Sequence, residues 1–246
     1  MFGGNTMKNI KTLIISVGLI GCFSVSIFGL GVYDLSLNNE VENVSLDILN
    51  DLPKEANKSS FEYLIENNAL LVRKDGIDID GKVSREDFVA MLFRLMTGYK
   101  FGEVSESPYY NDVSPVHWYA GYVEWARYNG VARGYGNEYW EIGHNLTKEQ
   151  MCKMLYGYYS FNNKVEEKGL LEDYKDSNIV SEWAKESVIW CLNNDLISVK
   201  ESVIWCLNND LISVKDGYLN PKDEMTLNDV VLVLEKFDLL RKGETR

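Results

Sequence analysis

Histidine and positive charge are scarce in this chain of 246 residues. There are two histidines, and 25 lysines and arginines stand against 37 aspartates and glutamates, which gives a formal net charge of −12. Neither His117 nor His144 has a nearby nucleophile and carboxylate pattern that would indicate a catalytic triad. The negative charge repels nucleic acid and anionic membrane surfaces. Since no phosphate-binding loop is present either, we expect a noncatalytic protein with no cofactor and no nucleic-acid partner.

Cysteine is too rare for a disulfide framework. The chain has four cysteines, and two of them, Cys191 and Cys206, belong to identical copies of one segment, residues 186–200 and 201–215. Such identity is typical of a recent in-frame duplication or of an assembly artefact. Cys152 and Cys191 lie in apolar segments with helical spacing, which predicts buried thiols. A zinc site would need clustered partners, which the sequence does not place near them.

Long apolar runs are also absent, except at the N-terminus. Lys8 and Lys11 precede an uncharged apolar run that ends at Tyr33. This pattern indicates that residues 1–33 are a secretory signal, although the run is also long enough to be an uncleaved membrane anchor. A third possibility is lipidation at Cys22, because Leu19-Ile20-Gly21-Cys22 is similar to a bacterial lipobox. Residues 34–58 are polar and are predicted to be a linker with one short helical turn.

The rest of the chain is organised by internal repetition. Asp112 recurs as Asp176 after 64 positions, and Trp118 recurs as Trp183 after 65. Taking residues 109–161 as the reference copy, residues 59–98 form an earlier copy. Residues 173–240 form a later one that contains the duplicated segment of 15 residues.

Each copy has the pattern of a helix, a loop and a second helix. Ser84, Thr147 and Thr226 precede the second helices and are predicted to cap them. Because one helix pair cannot bury its apolar face alone, we expect the three copies to pack on one another. The predicted fold is all-α, with three helix-loop-helix repeats in a pseudo-threefold bundle, preceded by the signal or anchor helix.

These motifs resemble the S-layer homology domain of bacterial surface proteins. The resemblance rests on an Asp-Val pair, a Trp-Tyr-Ala or Trp-Ala-Lys motif, a Gly-Tyr loop and a Thr/Ser-Lys/Arg-Glu turn, and it covers roughly Ser59 to Leu240. It implies an exported protein of the bacterial cell wall or cell surface. Such a protein would bind secondary cell-wall polysaccharide, often pyruvylated, in grooves between the repeats.

In this family the Thr-Arg-Ala-Glu-like turn supplies a basic side chain to each groove. The corresponding pairs here are Arg85 with Glu86 and Lys148 with Glu149, whereas the third copy has Leu227 with Asn228. A carboxylate ligand prefers the arginine fork, tolerates lysine and gains nothing from leucine. We therefore expect at most two working grooves, the stronger at Arg85.

Other interpretations of the same residues remain open. Arg85 and Lys148 are also compatible with solvated surface charge. Trp118 and Trp183 are predicted to be core anchors, with sugar stacking as the alternative. Gly134 and Gly136 allow the loop to turn, or they allow close approach of a ligand.

Two broader alternatives also follow from the sequence. Residues 76–87 align in part with an EF-hand calcium loop, but Gly76 stands where the first aspartate ligand belongs. As a whole, the chain could be a membrane-tethered helical repeat protein that mediates protein–protein interaction at the cell surface. In that case only the N-terminal segment, if it is not cleaved, would contact the membrane.

Overall fold

A computed structural model describes residues 46–72, 76–98, 108–165, 169, 171–197 and 217–244. The α-helices in these ranges are α1 (Lys58–Glu66), α2 (Arg85–Thr97), α3 (Ala120–Tyr128), α4 (Lys148–Asn162), α5 (Lys185–Asn193) and α6 (Leu227–Lys242). The described ranges contain isolated β-bridges but no strand, so the all-α prediction is confirmed. The predicted leader and the second copy of the duplicated segment lie outside the described residues.

Helices α2, α4 and α6 begin at the predicted caps. The hydroxyl oxygens of Ser84, Thr147 and Thr226 accept hydrogen bonds from backbone N–H groups three residues later. A cap of this kind stabilises a helix by about 1 kcal/mol. The predicted helical turn in the linker is present as a 3-10 helix at Leu46–Asn50.

The residues that precede these three caps are joined in a ring of hydrogen bonds. Val83 N–H donates to the carbonyl of Met225, Met225 N–H donates to Leu146, and Leu146 N–H donates to Val83, over 3.1, 2.9 and 2.8 Å. All three side chains are buried. A closed cycle of hydrogen bonds thus connects segments that lie far apart in the sequence.

The first helix of each unit ends in a common way. An asparagine amide donates to the carbonyl four residues earlier, and the next residue has a positive φ. The asparagines are Asn67, Asn129 and Asn194, and the following residues are Asn68, Gly130 and Asp195.

The helix pairs that pack most extensively are α2 with α3, α4 with α5, and α6 with α1. The α6–α1 contact includes hydrogen bonds from Ser60 Oγ to Glu235 Oε2 (2.5 Å) and from Tyr63 Oη to Asp238 Oδ2 (2.7 Å). Cys152 and Cys191 are buried thiols, as predicted, and no disulfide joins them. Cys191 Sγ donates to the backbone carbonyl of Cys152 over 4.0 Å. None of the helices in the described ranges has the length and apolar character needed to cross a membrane.

Candidate functional site

Arg85 is the first residue of α2, and its side chain is held between two aromatic rings. The guanidinium carbon lies 4.6 Å from the ring centroid of Tyr135 and 4.9 Å from that of Trp140. Its Nη1 donates to Tyr135 Oη over 2.9 Å. Arg85 is only 4% exposed, so its interpretation as solvated surface charge is wrong. Burial lowers the pKa of Arg85, but a guanidinium stays protonated at neutral pH.

The glycine-containing loop of the middle unit positions Tyr135. Gln150 Nε2 donates to Tyr135 Oη over 2.6 Å, and burial raises the pKa of that phenol. Gly134 has a φ of +67°, and a Cβ there would lie 2.5 Å from the carbonyl oxygen of Tyr139. Gly134 is therefore required for the turn. Gly136 also has a positive φ, but a Cβ there would meet no atom within 4 Å.

An open cavity of about 700 Å³ lies beside this loop, and we call it the Arg85 groove. Among the described residues, the charged ones that line it are Arg85, Arg133 and Lys153. The nearby carboxylates of Glu141 and Glu86 raise the pKa of Arg85 against the larger effect of burial. Two of the three cations, Arg133 and Lys153, are exposed. In a chain with a net charge of −12, the groove is thus a local basic site. The cavity is also lined by three exposed aromatic side chains, which are Tyr135 (45%), Phe161 (57%) and Trp183 (49%).

The prediction that Trp183 is a core anchor is wrong, because its side chain is half exposed and lines the Arg85 groove. It lies in a 3-10 turn, Glu182–Ala184, rather than in α5. The buried Glu149 holds the start of this turn. The carboxylate of Glu149 accepts hydrogen bonds from the backbone N–H and the hydroxyl of Ser181, each over 3.0 Å, and pairs with Lys222.

Trp118 has a different environment. It lies before α3, is half buried, and contacts the rings of Tyr119 and Tyr122 with centroids 5.7 and 6.1 Å away. It is not among the residues that line the Arg85 groove. The core-anchor prediction thus fits Trp118 better than it fits Trp183.

Lys148 lies in a second cavity of about 430 Å³, which we call the Lys148 groove. Its Nζ donates to the backbone carbonyl of Leu219 over 2.7 Å. The cavity has mixed charge, since other lysines and the acidic residues Asp223, Glu224 and Asp229 line it as well. An anion is attracted less strongly there than in a groove whose charged lining residues are all cations.

The third cavity, of about 540 Å³, contains Leu227 and is called the Leu227 groove. Its charged lining residues are Asp78, Lys82, Glu86 and Asp87, so acidic groups predominate. Glu86 is buried, accepts a hydrogen bond from Gly143 N–H over 2.9 Å, and has its pKa raised by desolvation. Within the described ranges, no three His, Cys, Asp or Glu residues form a group that could hold a metal ion, so the EF-hand alternative gains no support.

The structure therefore brings Arg85, Gly134, Gly136 and Trp183 together in one groove. Lys148 and Glu86 line the other two cavities. Sequence reasoning missed Arg133, Lys153, Tyr135, Gln150 and Phe161. Two signals were available: Arg133 directly precedes the Gly134-Tyr135-Gly136 motif, and Lys153 lies three residues after Gln150 on one face of α4.

A family model described as the S-layer homology domain matches residues 109–152. The match includes the loop that holds Tyr135 and the first part of α4, whereas Arg85 and Trp183 lie outside it. No curated protein matches the chain. The matched segment is therefore similar to the S-layer homology domain, a kind of module that anchors proteins at the bacterial cell wall or cell surface.

Proposed function

We propose that the protein binds an anionic secondary cell-wall polysaccharide in the Arg85 groove. The observation that carries this proposal is the described lining of the groove, where three cations lie beside three exposed aromatic rings. The cations attract a carboxylate such as that of a pyruvate ketal, and an aromatic ring offers an apolar face for the C–H side of a sugar.

The three grooves differ in their affinity for an anion. Lys148 already donates to a backbone carbonyl and has acidic neighbours, while Leu227 supplies no charge to a groove in which acidic residues predominate. The Arg85 groove is therefore the principal site, the Lys148 groove is weaker, and the Leu227 groove does not take up the polysaccharide.

The proposal includes three S-layer homology-like repeats, although the family model matches only the middle one. The ring formed by Val83, Leu146 and Met225 and the equivalent caps of α2, α4 and α6 support this assignment. The apolar segment after Lys8 and Lys11 supports export.

The first test is sedimentation of the purified protein with isolated cell walls. We expect binding to intact walls and its loss once the secondary polysaccharide has been extracted from the peptidoglycan. Binding that survives the extraction contradicts the proposal and favours a protein partner. Walls from which the pyruvyl groups have been removed by mild acid should retain the protein weakly, because the carboxylate is then absent.

Matched variants test the groove itself. Lys153→Ala removes a groove cation, whereas Lys164→Ala removes an exposed lysine that does not line the cavity. Trp183→Ala removes a groove ring, and Tyr128→Ala removes an aromatic side chain that is 66% exposed elsewhere. We expect the first member of each pair to weaken wall binding about tenfold, equivalent to about 1.4 kcal/mol, with little effect from the second. Equal effects within each pair would place the binding site elsewhere.

A further inference from the structure

Residues 140–144 contact Arg85 in two ways. The ring centroid of Trp140 lies 4.9 Å from the guanidinium carbon of Arg85, and Trp140 is fully buried. At the other end of the segment, the carbonyl of His144 accepts a hydrogen bond from Arg85 N–H over 3.1 Å. The position of this segment therefore determines where both the side chain and the backbone of Arg85 lie.

The carboxylate of Asp112 holds the first three residues of this segment. Its Oδ1 accepts a hydrogen bond from Trp140 N–H over 2.8 Å, and its Oδ2 accepts from the N–H groups of Glu141 and Ile142 over 2.7 and 3.1 Å. Burial raises the pKa of Asp112, but these backbone hydrogen bonds together lower it by more, so the carboxylate is ionised at neutral pH. Glu141 has a φ of +65°, which is unfavourable for a residue other than glycine, and the hydrogen bonds to Asp112 stabilise this turn.

Asp176 makes equivalent contacts later in the chain. Its carboxylate accepts hydrogen bonds from the N–H groups of Leu219 and Asn220 over 2.8 and 2.7 Å, and Asn220 likewise has a positive φ. The carbonyl of Leu219 accepts from Lys148 Nζ over 2.7 Å, while Lys148 N–H donates to the carbonyl of Asp223 over 2.9 Å. Each recurring aspartate thus holds a segment that contacts the first residue of α2 or of α4.

We propose that Asp112 is a positioning residue for the Arg85 groove. Through residues 140–144 it fixes the guanidinium of Arg85 in the orientation that receives a carboxylate. The inference rests on the proposed function, because the ligand is the anionic polysaccharide assigned to that groove. A guanidinium binds a carboxylate through a planar fork with directional hydrogen bonds, so its affinity depends on how firmly the surrounding groups hold it.

Matched aspartate variants distinguish positioning from a general effect on stability. Asp112→Asn and Asp176→Asn each replace one carboxylate oxygen by an amide group that cannot accept a hydrogen bond, so both should lower the urea midpoint of unfolding. Below the transition, Asp112→Asn should weaken wall binding about tenfold. Asp176→Asn should weaken it by no more than about twofold, because the Lys148 groove is the weaker one. Equal losses of binding in the two variants, or unchanged binding in Asp112→Asn, overturn the proposal.

A nuclear magnetic resonance measurement on the protein without ligand separates this proposal from the proposed function. The Nε–H signal of Arg85, assigned by its absence in Arg85→Lys, is shifted by the ring current of Trp140. In folded Asp112→Asn we expect the signal to move towards that of the exposed Arg133, whereas in Asp176→Asn it should keep its position. An unmoved signal in Asp112→Asn overturns the proposal whatever the walls show. A moved signal, together with no wall binding by the unsubstituted protein, refutes the proposed function while Asp112 still positions Arg85.

Asp112→Glu covers the case in which Asp112→Asn does not fold. It keeps an ionised acceptor on a longer side chain, so we expect a folded protein by circular dichroism, a smaller movement of the Arg85 signal and a smaller loss of wall binding. An Arg85 signal at its original position in this variant, together with a loss of wall binding, would contradict the proposal.

Discussion

Gly157 provides a quantitative test of the packing that forms the Arg85 groove. It lies within α4, and a Cβ at this position would be 2.3 Å from the carbonyl oxygen of Gly130 and 3.2 Å from that of Val131. Normal carbon–oxygen contacts are about 3.3 Å or longer. Gly157→Ala would therefore force α4 and the Gly130 loop about 1 Å apart.

Two effects of opposite sign determine the result. Alanine in a helix interior is favoured over glycine by about 0.5–1 kcal/mol. Overpacking against a fixed backbone costs about 1–3 kcal/mol. Because the clashing atoms belong to the backbone, they cannot move away by a rotamer change. We expect a net destabilisation of about 1–2 kcal/mol and a decrease in Tm of about 3–6 °C.

The assay is thermal unfolding followed by circular dichroism, with wall sedimentation below the transition. Asn162→Ala, on the exposed last turn of α4, is the control for helix propensity without the contact. Since Gly130 and Gly157 both line the Arg85 groove, Gly157→Ala should also weaken wall binding while the protein is folded. A variant as stable as the unsubstituted protein, or more stable, would refute the close approach of α4 to this loop.

Three further predictions concern polar groups. Asp112→Asn should lower the free energy of unfolding, measured in urea, by about 1–3 kcal/mol. The reason is that the Asp112 carboxylate accepts hydrogen bonds from three consecutive backbone N–H groups, those of residues 140–142. Arg85→Lys should retain the fold by circular dichroism but bind walls about tenfold more weakly, because lysine cannot reproduce the planar contact with Tyr135. Burial by itself raises the pKa of Asp238. Its hydrogen bonds with Lys242, Tyr63 and Arg241 together lower the pKa by more, so the pKa in the folded protein lies below 3.8. The stabilisation by the Asp238 carboxylate is therefore complete above pH 3.8 and is lost as the pH falls through the pKa of the folded protein. The difference in unfolding free energy between the unsubstituted protein and Asp238→Asn should consequently decrease in acid.

The parts of the fold that depend on neighbouring residues were predictable from the sequence. The caps at Ser84, Thr147 and Thr226 each depend on a side chain and a backbone N–H group only three residues apart. Helical spacing similarly predicted the burial of Cys152 and Cys191. The sequence showed that Asp112 recurs as Asp176, but not which hydrogen bonds these carboxylates accept. The donating N–H groups lie 28 to 44 positions later in the chain.

The site was less predictable because it forms between units. The burial of Arg85 depends on Tyr135, which is 50 positions away, and the exposure of Trp183 depends on how its 3-10 turn meets α4. Apolar character alone favoured a core position for Trp183. No periodicity within one unit indicates which face its neighbour covers.

The two-residue motif at the start of α2, α4 and α6 combines separable tasks. Its first residue lines a groove, as Arg85, Lys148 and Leu227 do. Its second residue accepts a hydrogen bond from a backbone N–H group far away in the sequence: Glu86 from Gly143, Glu149 from Ser181, and Asn228 from Asn57.

In the third unit these tasks have diverged. Asn228 Oδ1 accepts a hydrogen bond from Asn57 N–H over 2.8 Å, which links the start of α6 to the residue before α1. Leu227 has no charge to offer an anion, but its backbone N–H still donates to Gly81 over 3.0 Å. The first position of the motif can therefore lack a cation while the hydrogen bonds from Leu227 N–H to Gly81 and from Asn57 N–H to Asn228 are present. The start of α6 therefore contributes hydrogen bonds to the residues just before Arg85, although Leu227 supplies no cation to its own groove.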